Sequence, residues 1–358
     1  MKRAIALFLV AFMIFGSTAC SEGSFDKDFY MGLIFSASTG EKTEITYIDA
    51  DGNVLYKQDL KYADFTSSAS APATIYKNVL YAAPTGSMGE GDEHTAITID
   101  LDNGETKKYD NGEALSGPTC STVNNSALYV CRNLNQTSTV GRRDLKTDKV
   151  ISKDFATEKN ICIMTVYATD KYVYCSGTGI EKGDSYTQYL YILDAKTLAL
   201  KNKVKIPYEA FSFISANDMI YFAMPPEFEE DKGNSYLGIY NEKTGSVKTL
   251  EINGAKDFGE IDRMGNTLLL IDSQDEKKKS SVFEYDLKKK KIISKIKVDA
   301  NISQAQVKGE SLFIYSDDKE DSSHIYEYKR TADKFKRIKT YDPYKITGGG
   351  ITTFFLHQ

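Results

Sequence analysis

The sequence predicts an all-β protein made of seven like-sized modules, and three observations support that expectation. An aliphatic anchor inside a recurring turn-plus-strand phrase falls at Leu33, Leu80, Leu128, Val173, Ile220, Leu268 and Leu312, at spacings of 47, 48, 45, 47, 48 and 44 residues. A second phrase, a strand ending in a polar turn, runs in step with the first. Beyond the first 20 residues, no segment carries the hydrophobic period of a helix. The 358 residues are 27% charged and 41% hydrophobic, which excludes collagen-like, low-complexity and disulfide-knotted chains. A formal charge of −5 argues against a nucleic-acid partner held through its phosphates. Only one long apolar run exists, so a polytopic membrane protein is excluded too.

The first phrase places a turn before an aliphatic-aromatic strand. It reads Asn78-Val79-Leu80-Tyr81, Ser126-Ala127-Leu128-Tyr129, Lys171-Tyr172-Val173-Tyr174, Asp218-Met219-Ile220-Tyr221, Asn266-Thr267-Leu268-Leu269 and Glu310-Ser311-Leu312-Phe313. The copy around Leu33 lacks the turn. The second phrase reads Asp49-Ala50-Asp51-Gly52, Asp100-Leu101-Asp102-Asn103-Gly104, Asp144-Leu145-Lys146-Thr147-Asp148, Asp194-Ala195-Lys196-Thr197, Asn241-Glu242-Lys243-Thr244-Gly245 and Asp286-Leu287-Lys288. The last unit carries Tyr328-Lys329-Arg330-Thr331 at that place. Alternating apolar residues follow each turn, as at 201–206 and 292–298. Each unit therefore holds four short strands joined by hairpin turns. Four strands in about 47 residues match a β-propeller blade, and no sandwich or barrel imposes that period. The repeated Tyr after the anchor is expected to pack between blades.

Closure is legible at the ends. Residues 24–28 are too polar to supply the first module's inner strand, whereas Ile351-Thr352-Thr353-Phe354-Phe355-Leu356 is a spare strand after three glycines. Pairing it beside Leu33 closes a seven-bladed ring over residues 29–358 and removes an exposed edge. In such a ring the short turns share one face. They carry Lys146, Lys149, Lys196, Lys243, Lys288, Lys289, Lys290, Lys291, Lys308, Arg330 and Lys334, so a basic face turned toward a membrane is expected. The longer loops between second and third strands, on the other face, are acidic. They carry Glu90, Asp92, Glu93, Glu227, Glu229, Asp317 and Asp318, the residues expected to meet a ligand.

The N-terminus reads as a leader. Lys2 and Arg3 precede an apolar stretch at 4–15, and Gly16-Ser17-Thr18-Ala19 leads into Cys20. This arrangement resembles the lipobox of bacterial lipoproteins, with Ser17 standing where that family usually has Leu. The resemblance implies a leader over 1–19, cleavage before Cys20 and a diacylglycerol thioether on Cys20, with no other cofactor. It places the protein on the exported face of a cell membrane. Residues 20–28 then form a polar tether, and the nine residues from Cys20 to Phe29 span at most ~30 Å. The strand-turn-strand rhythm also resembles lactonase-type and quinoprotein-type propellers. The chain lacks the Tyr-Val-Thr-Asn wording of one such group and the repeated Trp of the other, so this likeness implies a fold and no activity.

Candidate chemistry is sparse. His94, His324 and His357 have no zinc-ligand spacing, and Asp49-Ala50-Asp51-Gly52-Asn53 reads as a hairpin turn, lacking the downstream Glu of a calcium loop. No Gly-x-Ser-x-Gly, P-loop or dinucleotide fingerprint occurs, so no catalytic residue and no metal ligand is assigned. Cys120 and Cys131 flank one inner turn and would sit opposite each other. Cys162 and Cys175 flank the next with poorer register. Disulfides and buried thiols both remain open for these four. Two functions follow. The first is a membrane-anchored binding or scaffold module for an envelope protein, peptide or glycan. The alternative is a lactonase-like or other hydrolase holding a divalent ion at the central channel. That alternative needs inward carboxylates, and only Glu260, Asp262, Gln304 and Gln306 offer polar groups on inner strands.

Overall fold

The computed structural model describes residues 25–36, 43–60, 74–82, 95–110, 119–134, 137–155, 162–180, 186–226, 234–273, 280–298, 301–316, 323–331 and 334–357. Seven four-stranded antiparallel sheets make up the chain. In six of them the strands run from the inside outward in sequence order, and the first takes its innermost strand from the C-terminus. The inner strands of blades one to seven are Thr353–Leu356, Thr74–Tyr76, Cys120–Val123, Cys162–Ala168, Phe213–Ala216, Phe258–Met264 and Gln304–Lys308. The protein is a seven-bladed β-propeller.

All seven sequence anchors sit on second strands, and all are buried. A second strand is covered on both faces, so its residues alternate between the two neighbouring blades. Leu268 packs with Tyr221 and Ala223 of blade five, while Leu269 packs with Leu312 and Ile314 of blade seven. The same alternation sends Val173 toward blade three and Tyr174 toward blade five. The core is thus divided among the seams between blades. Among the described residues the thinnest lies between blades two and three, where Ala96, Leu128 and Val130 are buried. There the Arg143 guanidinium sits 4.6 Å from the Tyr109 ring centre and adds a cation–π contact.

The turns between third and outer strands explain the second phrase. The Asp144 carboxylate accepts the Lys146 and Thr147 N–H groups at 3.1 and 3.0 Å, and Asp194 does the same for Lys196 and Thr197. Asn241 and Asp286 repeat the pattern. Asp49 accepts from the Asp51 and Asn53 N–H groups, both at 2.8 Å, so that acidic stretch is a hairpin turn. A short polar side chain that binds its own backbone two residues on favours such turns. Among the described residues, these turns in blades one to six each carry a residue of positive φ: Gly52, Gly104, Asp148, Leu198, Gly245 and Lys290.

Closure joins chain ends far apart in sequence. Met31, Gly32, Leu33 and Ile34 pair with Leu356, Phe355, Phe354 and Thr353. One feature departs from the all-strand expectation, the helix Pro343–Thr347. Asp342 caps its start, Pro fills the first turn and Gly348 ends it at φ 82°. Five residues are too few for a helical period to register in the sequence, and Ile346 packs into the closing seam.

Candidate functional site: the central channel and its short-turn mouth

An inner strand has one paired edge, and its other edge faces the channel and the next blade. Backbone groups there need partners, and side chains across the seam supply them. The Ala305 N–H donates to Glu260 at 2.8 Å, and the Val307 N–H donates to Asp262 at 2.6 Å. Blade seven then repeats the device toward the closing strand. Gln304 donates to the Phe354 carbonyl at 3.1 Å and accepts the Phe354 N–H at 3.2 Å. Gln306 donates to that same carbonyl at 2.9 Å and accepts the Leu356 N–H at 3.2 Å. The spacing of two in each pair follows from strand geometry, which points alternate side chains the same way. The four inner-strand polar residues singled out in the sequence are therefore brought together, and each binds a neighbouring backbone.

These surroundings alter the acids. Burial, with the Asp262 charge adding to it, pushes the Glu260 carboxyl up to about 8, against the lowering effect of the Ala305 N–H. Burial likewise pushes Asp262 up to about 6, against two backbone donors.

The short-turn mouth holds a cavity of about 500 Å³ lined by Asp262, Gln306, Lys308, Phe355, Leu356 and His357. The His357 ring stacks on Phe29 at 4.3 Å. Its Nδ1 lies 3.0 Å from the Phe29 carbonyl and its Nε2 lies 3.1 Å from Asn78 Oδ1. The Asn78 amide donates to Asp102 at 2.6 Å. The Lys308 ammonium sits 4.2 Å from the Tyr30 ring centre, and burial lowers its pKa while the Glu327 charge opposes that. Burial and Glu327 push the Tyr30 hydroxyl up to about 12. The mouth thus offers a carboxyl, an amide, an ammonium and an imidazole around an apolar floor, a lining suited to holding a small polar ligand. His357 and Asn78 meet only through ring closure, so no local sequence signal could pair them.

The other sequence-derived residues are distributed as follows. Cys20, Glu90, Asp92, Glu93, Glu227, Glu229, Asp317 and Asp318 lie outside the described residues. Cys120 faces Cys131 in the register, as expected, whereas Cys162 faces Thr178 and Cys175 faces Val166. The short-turn face is not uniformly basic. Asp49, Asp51, Asp100 and Asp102 occupy the turns of blades one and two, and Lys288, Lys289 and Lys290 fill that of blade six. Charge varies around the ring because the turn-capping position takes Asp, while the positions after it accept either sign. Within that face Lys243 pairs with Asp218 at 2.7 Å, and Arg330 pairs with Glu284 at 2.8 Å.

Phe25, the first described residue, is fixed at this same face. Phe25 packs edge-on against Tyr47 and Tyr56 at 5.1 and 5.3 Å, and its ring lies over Gly104. Among the described residues, no helix is long and apolar enough to cross a membrane. No group of three or more His, Cys, Asp or Glu there could hold a metal ion.

No protein-family model matches the chain, and no curated protein matches it. Solved structures do. A Bacteroides uniformis protein assigned provisionally as a 6-phosphogluconolactonase aligns over 87% of this chain and 95% of its own, with 12% identity and a TM-score of 0.59. A Bacteroides fragilis protein with the same provisional assignment aligns over 90% and 97%, with 13% identity and a TM-score of 0.58. The dihydro-heme d1 dehydrogenase NirN, in complex with DHE, aligns over 91% of this chain at 12% identity and a TM-score of 0.55. This chain spans 66% of that one's length. Likeness at these identities establishes the seven-bladed fold and leaves the activity open.

Proposed function

We propose that the chain is an exported, lipid-anchored binding module. Its propeller is tethered through Cys20, and its long-loop face is offered to an envelope protein, peptide or glycan. The observation that favours binding over catalysis is the use made of the inner-strand carboxylates. Glu260 and Asp262 accept backbone N–H groups of the next blade. Anchoring is supported by the Ala19-Cys20 leader junction, and by Phe25 being packed only five residues beyond Cys20. Five extended residues reach about 18 Å, which holds the short-turn face close to the lipid. In sequence, the acidic residues Glu90, Asp92, Glu93, Glu227, Glu229, Asp317 and Asp318 fall between the second and third strands of their blades.

The test is mass spectrometry of the N-terminus from producing cells, together with cross-linking on intact cells. Diacylglycerol on Cys20 is expected, with release of the protein into the medium for C20S. A specific cross-linked partner should be lost when Glu227, Glu229, Asp317 and Asp318 are neutralised together. An unmodified Cys20 would overturn the anchor, and cross-linking indifferent to those loops would overturn the assigned face.

The hydrolase reading is favoured by one observation, the likeness to two proteins provisionally assigned as lactonases. It requires a divalent ion at the channel. Calcium added during thermal melting separates the two readings, because an ion bound only by the folded ring raises the midpoint. The binding reading expects no shift.

A further inference from the structure

We propose that Cys120 and Cys131 form a disulfide across the inner hairpin of blade three, and that Cys162 and Cys175 stay as thiols. The inference rests on the exported location proposed above. The hairpin register sets Cys120 directly opposite Cys131, with the two sulfurs 3.1 Å apart. The Thr119 hydroxyl lies 3.0 Å from the Cys131 sulfur and holds it in this position. In the following blade the register separates the other two cysteines by more than three positions, roughly 10 Å along the strand, beyond the reach of a bridge without backbone movement.

The location has a mechanical reason. The inner strand Cys120–Val123 pairs with Ala127–Leu134, whose Leu128 and Val130 form with Ala96 the smallest buried apolar cluster among the described residues. A bridge would fix that short strand to its partner Ala127–Leu134 independently of the weak seam. It closes a short loop and restricts the unfolded chain.

The chemistry is two successive thiol–disulfide exchanges. One cysteine displaces a thiolate from the disulfide of an exported dithiol oxidoreductase. The second cysteine then attacks that mixed disulfide. The oxidant leaves as its dithiol, having taken both electrons and both protons. Both cysteines are buried in the finished ring, at 5% and 0% exposure, so exchange precedes the seating of this hairpin against blade four.

Both cysteines fall in one tryptic peptide, residues 109–132, which allows a direct test. Cells producing the full-length protein are quenched in acid, and the protein is unfolded, alkylated and digested. This peptide is expected to be unalkylated and lighter by two hydrogens, whereas those bearing Cys162 and Cys175 are alkylated. In a second arm, purified full-length protein is reduced, unfolded and refolded in glutathione redox buffer, with the same pattern expected. Dithiothreitol should lower the melting midpoint of the wild type and leave C120S/C131S unmoved. Alkylation of both cysteines in both arms, or a bridge involving Cys162 or Cys175, would overturn the proposal. A bridge that forms on refolding but is missing from cells upholds the pairing and overturns the exported location instead.

Discussion

At the residue scale, Glu260 and Lys290 are held in energetically unfavourable states whose relief can be measured. The Glu260 carboxyl is raised to about 8 in the fold, against about 4.3 for a free glutamic acid. A folded pKa above the unfolded one means the neutral group favours folding. That contribution is complete below about pH 4.3 and is lost as pH rises through about 8. Glu260 is only partly buried from solvent, which screens part of its charge, so we expect the loss to be about 1–2 kcal/mol. E260Q keeps an oxygen for the Ala305 N–H and should reduce the fall of the urea midpoint between about pH 5 and about pH 9, the remainder coming from Asp262, itself raised to about 6. Equal pH slopes for the two proteins would contradict this. Lys290 is the second position, held at φ 54° in the blade-six turn. A side chain there costs roughly 1–2 kcal/mol, partly offset in glycine by the greater freedom of the unfolded chain. K290G should therefore stabilise the protein by about 0.5–1 kcal/mol in urea titration. Destabilisation would show that the lysine side chain makes a contact worth more than the strain.

Individual elements owe their order to what they meet across a seam. Gly32 lies opposite Phe355 in the closing pair, and a Cβ added there would fall 2.1 Å from the Phe355 ring. Because that ring is buried, it cannot swing clear without leaving the first seam. G32A is expected to cost about 1–3 kcal/mol by overpacking, read as a fall in the urea midpoint. A midpoint equal to wild type would mean the closing strand shifts freely. Tyr hydroxyls also stitch neighbouring elements. The Tyr129 hydroxyl donates to the Ala195 carbonyl of the next blade at 2.8 Å, which gives the repeated Tyr a role beyond apolar packing. The outer strands are exposed edges, and lysines shield them. Lys203 lies 4.1 Å from the Tyr189 ring and Lys295 lies 4.6 Å from that of Phe283, each covering an aromatic of the adjacent strand with a charged side chain.

For the whole molecule, the fold was legible because a propeller repeats one local solution. Anchors such as Leu80 and Leu268 recur since every second strand meets the same two-sided burial. The repeated Asp of the turns is visible for the same reason, being needed at Asp144, Asp194 and Asp286 alike. The mouth was not legible. His357, Asn78 and Phe29 come together from distant parts of the chain, and nothing near any one of them in sequence reports the others. Charge does not sort by face, because capping carboxylates stand beside the lysines of the short turns, as Asp286 does two residues before Lys288. The polar inner-strand residues stand out in the sequence, yet their role depends on which backbone edge lies opposite, and only the closed ring defines that edge.

The ring is closed by the C-terminal strand, whose backbone is held by Met31–Ser36 on one side and by Gln304 and Gln306 on the other. The most direct measurement is urea unfolding, followed by far-ultraviolet circular dichroism, of the full chain and of one ending at Gly350. Loss of a single cooperative transition, or a large fall in its midpoint, is the result the closed ring predicts for the shortened chain. An unchanged midpoint with unchanged cooperativity would contradict it.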